Sequence, residues 1–194
     1  MMPTVTFDER KIAYTVEKQE VSFIKIYLDD LNGVKVTVSP QKEEAKVQAF
    51  VEKKADWIFE KWQKTHEDLY AVNELIASEN EKISYLGRSY RLKIEHKDEA
   101  HFAFRKGTFL FVYPETWTAE EVNQQLRIEA SQWLSRKAEE KFSKLSEWQV
   151  VSEQDHLRLG VKDQDRIHLN WRLVQRSKQK IQETIEDLIH AKTC

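Results

Sequence analysis

Alternating apolar and polar positions over the first 38 residues predict β-strands. Apolar residues recur at every second position in the runs 12–16, 24–28 and 34–38. Asn32-Gly33 lies between the second and third runs, and this dipeptide readily adopts the positive φ angles of a tight turn. The chain is therefore predicted to begin with an antiparallel β-hairpin and sheet.

A helical period replaces this alternation after Ser39-Pro40. Serine is a favoured N-cap, and proline suits the first helical position, where no amide donor is required. An apolar stripe then continues to about Tyr70 and predicts one helix packed against the sheet. The stripe consists of Val47, Val51, Ile58 and Trp62.

The strand-like alternation returns between residues 83 and 113 and predicts a second β-block. Thr118, with Glu121 three residues later, has the pattern of a capping box that opens a long helix. Short strands are expected at 156–159 and 167–174. Ser177 is then the predicted N-cap of a last helix, whose inward-facing positions are Ile181, Ile185 and Leu188.

Together these elements predict an α+β protein with two regions. Residues 1–114 are predicted to hold the N-terminal hairpin and sheet, the packed helix and the second β-block. Residues 115–194 are predicted to form a second region with the order helix, strand, helix.

The composition argues against several classes of protein: nucleic-acid-binding, membrane-spanning and secreted proteins. The net charge is −2 and acidic and basic residues are interspersed, which argues against a nucleic-acid-binding protein. No apolar stretch approaches the roughly 20 residues of a membrane helix, and no signal-peptide pattern is present at the start. A single cysteine, Cys194, fits a reducing compartment. We therefore expect a cytoplasmic protein.

Candidate chemistry lies in the last helix. Glu186, Asp187 and His190 follow the spacing of the His-Glu-x-x-His motif of zinc proteases, with glutamate and aspartate in place of its first two residues. Residues four apart share one face of a helix and can hold one metal ion together. The segment is therefore the candidate metal and catalytic site.

Two other segments carry a family resemblance. Asn170-Trp171-Arg172-Leu173, before the last helix, and Tyr85-Leu86-Gly87, which opens a strand pair, resemble motifs of the YgjP-like zinc metallopeptidases. Asp56-Trp57-Ile58 matches a tryptophan near the end of that family's first helix. The resemblance covers nearly the whole chain and implies a small zincin fold.

The resemblance also implies roles for the last helix. His190 takes the place of the family's second zinc-binding histidine, Glu186 that of the first, and Asp187 that of the catalytic glutamate. In such a site the glutamate removes a proton from a zinc-bound water, which attacks a peptide carbonyl. The implied cofactor is zinc, and the implied partner is a peptide or protein.

Several residues depart from the family pattern. The Asp187 side chain is one methylene shorter than glutamate and would fall roughly 1–1.5 Å short of the water. Leu159-Gly160-Val161-Lys162 replaces a Trp-Gly-Ser-Cys-like segment. The family's third ligand follows the helix, where this sequence ends four residues after His190, so the second region is expected to be incomplete or the site degenerate.

Three hypotheses for function follow. The first is a metallopeptidase fold without a competent zinc site, a pseudoenzyme that binds a peptide or protein by pairing it with residues 167–174 as an edge strand. The second is an active zinc metallopeptidase that hydrolyses peptide bonds through a metal-bound water. The third is a helix-rich scaffold related to the family by architecture alone. The sequence leaves the substrate and the oligomeric state open.

Overall fold

A computed structural model describes residues 2–191; Met1 and residues 192–194, with Cys194, lie outside the described part. The α+β class is confirmed, with three small sheets. The strands are β1 Thr4–Phe7, β2 Arg10–Lys18, β3 Lys25–Asp29, β4 Gly33–Val38, β5 Lys82–Tyr85, β6 Arg88–His96, β7 His101–Arg105, β8 Thr108–Tyr113, β9 Gln149–Glu153, β10 Gly160–Asp163 and β11 Arg166–Asn170. The helices are α1 Glu44–Lys53, α2 Ala55–Thr65, α3 Glu67–Tyr70, α4 Ala119–Phe142 and α5 Lys178–His190.

The first sheet has the strand order β1-β2-β4-β3 and contains the predicted hairpin. β3 and β4 pair antiparallel, with Asp29 opposite Gly33. The turn differs from a two-residue Asn-Gly turn. The Asp29 carboxylate accepts hydrogen bonds from the backbone N–H groups of Leu31 (3.0 Å) and Asn32 (2.8 Å), and Gly33 alone takes a positive φ, +77°. A three-residue loop, residues 30–32, therefore joins the strands, and the glycine in the left-handed region follows it as the first residue of β4.

The helical region after this sheet is divided. The predicted start at Ser39-Pro40 is wrong, because α1 begins at Glu44. The Ser39 carbonyl instead accepts a bond from the Lys42 N–H (3.0 Å), which closes a turn. The single helix predicted to reach Tyr70 is interrupted at Lys54, which separates α1 from α2. The predicted apolar stripe is nevertheless buried in both helices.

The second sheet has the order β5-β6-β8-β7. The capping box that opens α4 is confirmed: the Glu121 N–H donates to Thr118 Oγ1 (3.3 Å), and the Thr118 N–H donates to the Glu121 carboxylate (2.8 Å). The buried positions of α4 are Val122, Leu126, Ala130, Trp133, Leu134, Ala138 and Phe142. Leu145 and Trp148 continue the same apolar spacing in the sequence, but they lie beyond the end of the helix.

The third sheet has the strand order β10-β11-β9. Two of the strands predicted for this region are corrected by the structure. Residues 156–159 form no strand, and β9 comes before them instead. The strand predicted over 167–174 ends at Asn170, because Trp171–Gln175 is a short 3₁₀ helix. Trp171, Leu173, Val174 and Gln175 are buried in that turn, and alternation alone could not distinguish it from a strand.

The chain forms two compact units, each built from separate stretches of sequence. The first contains the described residues up to Glu67, Trp148–Asn170 and those from Thr184 onward. The second contains Asp68–Glu147 and Trp171–Glu183. The boundary predicted after residue 114 falls within the second unit, and the two-region division stays a prediction. Over residues 2–191, no helix has the length and apolar character needed to cross a membrane.

Candidate functional site

Helix α5 begins where the sequence predicts. The Lys180 N–H donates to Ser177 Oγ (3.2 Å), and the Ile181 N–H donates to the Ser177 carbonyl (3.0 Å), which makes Ser177 the N-cap. The predicted inward positions Ile181, Ile185 and Leu188 are buried, together with Thr184. This spacing of three and four residues defines the face of the helix that packs.

The three candidate site residues occupy the rest of the helix surface. Glu186, Asp187 and His190 are all exposed. None of their side chains forms a hydrogen bond or ion pair with another described residue. The Asp187 backbone carbonyl accepts a bond from the Ala191 N–H (2.8 Å), so the helical hydrogen bonding persists to that point. No hydrogen bond or ion pair in the described part of the chain holds these three side chains in one geometry.

A catalytic zinc site needs three protein ligands arranged around one open position. Within residues 2–191, no three His, Cys, Asp or Glu side chains come together closely enough to hold a metal ion. Glu186 and His190 are one turn apart and could contribute two donors at most. The residues described here therefore do not fit a three-ligand zinc site, and any ligand after residue 191 lies outside them.

Strand β10 lies beside the last turns of α5. A Cβ atom added at Gly160 would lie 2.8 Å from Leu188 Cδ1 and 2.5 Å from the His168 carbonyl oxygen, so only glycine fits at this crossing. Two residues later, Lys162 Nζ lies 3.4 Å from the Ile189 carbonyl oxygen. The same ammonium lies 4.7 Å from the centre of the Trp148 ring. Sequence reasoning noted Lys162 only as a departure from the family pattern; no local signal indicates its contact with the helix.

The outer edge of the third sheet is not where the sequence predicts. β11 pairs with β10 on one side and with β9 on the other, so residues 167–170 are central and cannot receive another strand. The proposed pairing of a peptide with residues 167–174 is therefore wrong. The edge strands are β9 and β10, and β10 contacts α5.

Along β10 the backbone N–H and C=O groups of successive residues point alternately toward β11 and away from it. The Leu159 carbonyl accepts a bond from the Asn170 N–H (2.9 Å), so Val161 and Asp163 also direct their backbone groups toward β11. Gly160 and Lys162 direct theirs to the other side. The Gly160 carbonyl lies 3.5 Å from Asn32 Nδ2, which is consistent with this direction. Lys162 is left with an outward N–H and C=O.

The segments that carry the family resemblance have structural roles. Asn170 is 1% exposed, and its side-chain amide donates to Asp155 Oδ1 (2.9 Å) and to the Arg158 carbonyl (3.1 Å). The Arg172 guanidinium lies 4.4 Å from the centre of the Tyr70 ring and 4.6 Å from that of Trp171. These contacts fasten loops to packed elements.

The Tyr85-Leu86-Gly87 turn packs against the start of α5. The N–H groups of Leu86 and Gly87 donate to the carbonyls of Val174 (2.8 Å) and Gln175 (3.1 Å). Gly87 has a φ of +80°, and a Cβ atom there would lie 2.7 Å from Ser177 Cα. Glycine is therefore required both by the turn and by the close approach to the N-cap of the helix.

A buried ion pair holds the loop between β9 and β10. Arg158 donates two hydrogen bonds of 2.8 Å to the Glu153 carboxylate, and both side chains are 9% exposed. His156 Nδ1 lies 3.7 Å from Glu153 Oε2. Burial alone would raise the pKa of Glu153, but the hydrogen bonds and charge of Arg158, with a smaller contribution from His156, lower it to about 2. Sequence reasoning did not identify this pair, because its members are five residues apart in an irregular segment.

Comparison with known proteins supplies one match. The family model described as "YgjP-like, metallopeptidase domain" matches residues 23–183, which is most of the chain. The matched range includes residues 56–58, 85–87 and 170–173, which carry the resemblance, and ends before Glu186, Asp187 and His190. Searches of curated proteins and of solved structures gave no significant match.

Proposed function

Because the chain belongs to the YgjP-like metallopeptidase family, we propose that it uses this fold to bind an extended peptide or protein segment, without a competent zinc site. The observation that carries the proposal is the exposed, unpartnered state of Glu186, Asp187 and His190 among the described residues. Catalytic groups need a fixed geometry, and among residues 2–191 no hydrogen bond or ion pair imposes one on these three side chains.

Zinc content and proteolysis test the first half of the proposal. Protein purified without chelator is expected to carry far less than one zinc per chain and to leave casein intact. The variant His190→Ala is expected to behave as the parent does, as is His101→Ala, an exposed histidine on β7 that serves as the matched control. One zinc per chain that is lost in His190→Ala but kept in His101→Ala, together with cleavage of casein, would contradict the proposal.

The second half concerns the place of binding. The outer edge of β10 supports it, because an antiparallel edge strand beside a helix can accept an extended segment through backbone hydrogen bonds. Lys162 supplies an outward N–H and C=O at this edge, and Val161 and Asp163 are held by β11.

A proline substitution at Lys162 tests whether the peptide binds through the backbone of the outer edge of β10. Peptides selected from a displayed random library are expected to bind Lys162→Pro about fivefold more weakly than Lys162→Met, since one backbone hydrogen bond is worth on the order of 1 kcal/mol. Both variants lack the ammonium, and only the proline variant lacks the outward N–H. Equal binding by the two variants would place the peptide elsewhere.

An active zinc metallopeptidase is the alternative, and the family match favours it. Such an enzyme would need a complete ligand set that includes residues beyond those described. The zinc and casein measurements separate it from the binding protein.

A further inference from the structure

The positively charged side chain of Lys162 lies beside the last turn of α5. The Lys162 ammonium lies 3.4 Å from the Ile189 carbonyl oxygen and 4.7 Å from the centre of the Trp148 ring. The carbonyls of a final helical turn lack intrahelical partners and carry the negative end of the helix dipole. An ammonium at this position satisfies one carbonyl and neutralises part of that charge.

Further negative charge is concentrated on the same part of the helix. Glu183, Glu186 and Asp187 all lie within its last eight residues, and His190 is the one basic residue in its last turn. Such a helix end is stabilised by a nearby cation. The donor set described over residues 2–191 does not fit a divalent metal ion as that cation.

We propose that the Lys162 ammonium is the built-in cation at the C-terminal end of α5, so that this helix end is held in place without a divalent metal. This inference rests on the proposed function, because it assumes that no zinc binds there. The contact geometry supports it independently. β10 approaches the helix closely at Gly160, and this approach brings the side chain two residues later to the final turn. The indole face of Trp148 adds a cation–π contact on another side of the ammonium.

The chain offers a matched control for the cation–π part of this contact. Lys61 lies 5.1 Å from the centre of the Trp57 ring, on the exposed surface of α2, and no helix-terminal carbonyl accepts a bond from its ammonium among the described residues. Lys61→Met therefore removes a similar cation–aromatic contact without affecting the end of a helix. Lys162→Arg keeps the positive charge near α5, and Lys162→Met removes it while retaining the apolar stem.

Thermal unfolding of the whole chain tests the proposal. We expect the Tm of Lys162→Met to be about 2–4 °C below that of the parent, that of Lys162→Arg to stay within about 1 °C, and that of Lys61→Met to change by less than about 1 °C. We also expect the Tm of the parent to be the same with EDTA and with added zinc chloride, because a ligand bound only by the folded state would raise it.

Two results overturn the inference, and they differ in what else they overturn. Equal Tm values for Lys162→Met and Lys61→Met would show that Lys162 does not hold the helix end, and would leave the proposed function intact. A parent Tm that falls in EDTA and recovers with zinc would show that a metal supplies the cation, and would contradict the proposed function as well.

Discussion

The segments that carry the family resemblance and the segment that would carry the chemistry are held very differently. Asn170 is buried with two side-chain hydrogen bonds, and Gly87 fits against the N-cap of α5 so closely that a methyl group would clash. Glu186 and His190, at the other end of the same helix, are exposed and without side-chain partners among the described residues. Packing therefore accounts for the residues that make the fold, whereas packing does not constrain the residues in the positions of the metal ligands.

Among residues held by packing and hydrogen bonds, we expect the largest effect from acid, which protonates Glu153 of the buried Arg158–Glu153 pair. The pKa of Glu153 is lowered from 4.5 to about 2 in the folded protein. A lowered pKa contributes stability that is fully present above the unfolded value and is lost as pH falls through the folded value. We expect the loss between about pH 5 and pH 2 to be on the order of 3 kcal/mol of unfolding free energy.

Urea unfolding of the parent and of Glu153→Gln at several pH values measures this loss. The parent should lose more stability than the variant over that pH range, because the variant has no carboxyl to protonate at this position. Parallel pH profiles would show that the Arg158–Glu153 pair does not supply the acid sensitivity.

We expect the next largest loss of stability when a methyl group is added at Gly87, in the turn that packs against the start of α5. Gly87→Ala is expected to cost about 2 kcal/mol more than Gly107→Ala. Both glycines have positive φ, and each substitution should cost roughly 1–2 kcal/mol for that reason. At Gly87 the added Cβ also meets the backbone of Ser177, whereas at Gly107 it meets nothing within 4 Å. Chemical denaturation of the two variants measures the difference, and equal costs would mean that the turn does not press on the N-cap.

We expect the smallest change in stability at the exposed residues in the positions of the metal ligands. Glu186→Gln and His190→Ala should each change the unfolding free energy by less than about 0.5 kcal/mol, the usual range for exposed positions without partners. A loss of more than about 1 kcal/mol in either variant would show that the side chain is held by interactions. The contrast between the two ends of the helix would then disappear.

Local chemistry explains which elements the sequence could predict. The capping box of Thr118 and Glu121 and the N-cap at Ser177 depend on bonds between residues three positions apart, so their patterns are visible in the sequence. The hairpin between β3 and β4 depends on alternation and a short turn in the same way. The predicted start of α1 is wrong because Ser39-Pro40 is equally compatible with the turn that the structure contains.

The candidate site shows the limit of the same reasoning. The motif spacing placed Glu186 and His190 on one helix, one turn apart, and the structure contains that helix. Their assigned roles, and that of Asp187, stay predictions. The sequence could not indicate that β11 is central, because the partners of a strand come from distant parts of the chain.

The sequence by itself determined the α+β class, the family and the caps of α4 and α5, since each depends on residues close together or on a recognisable run of them. Only the tertiary structure decided which strand forms an edge of the third sheet and that Lys162 reaches the end of α5. These features arise where separate segments meet, and no local preference specifies such a meeting.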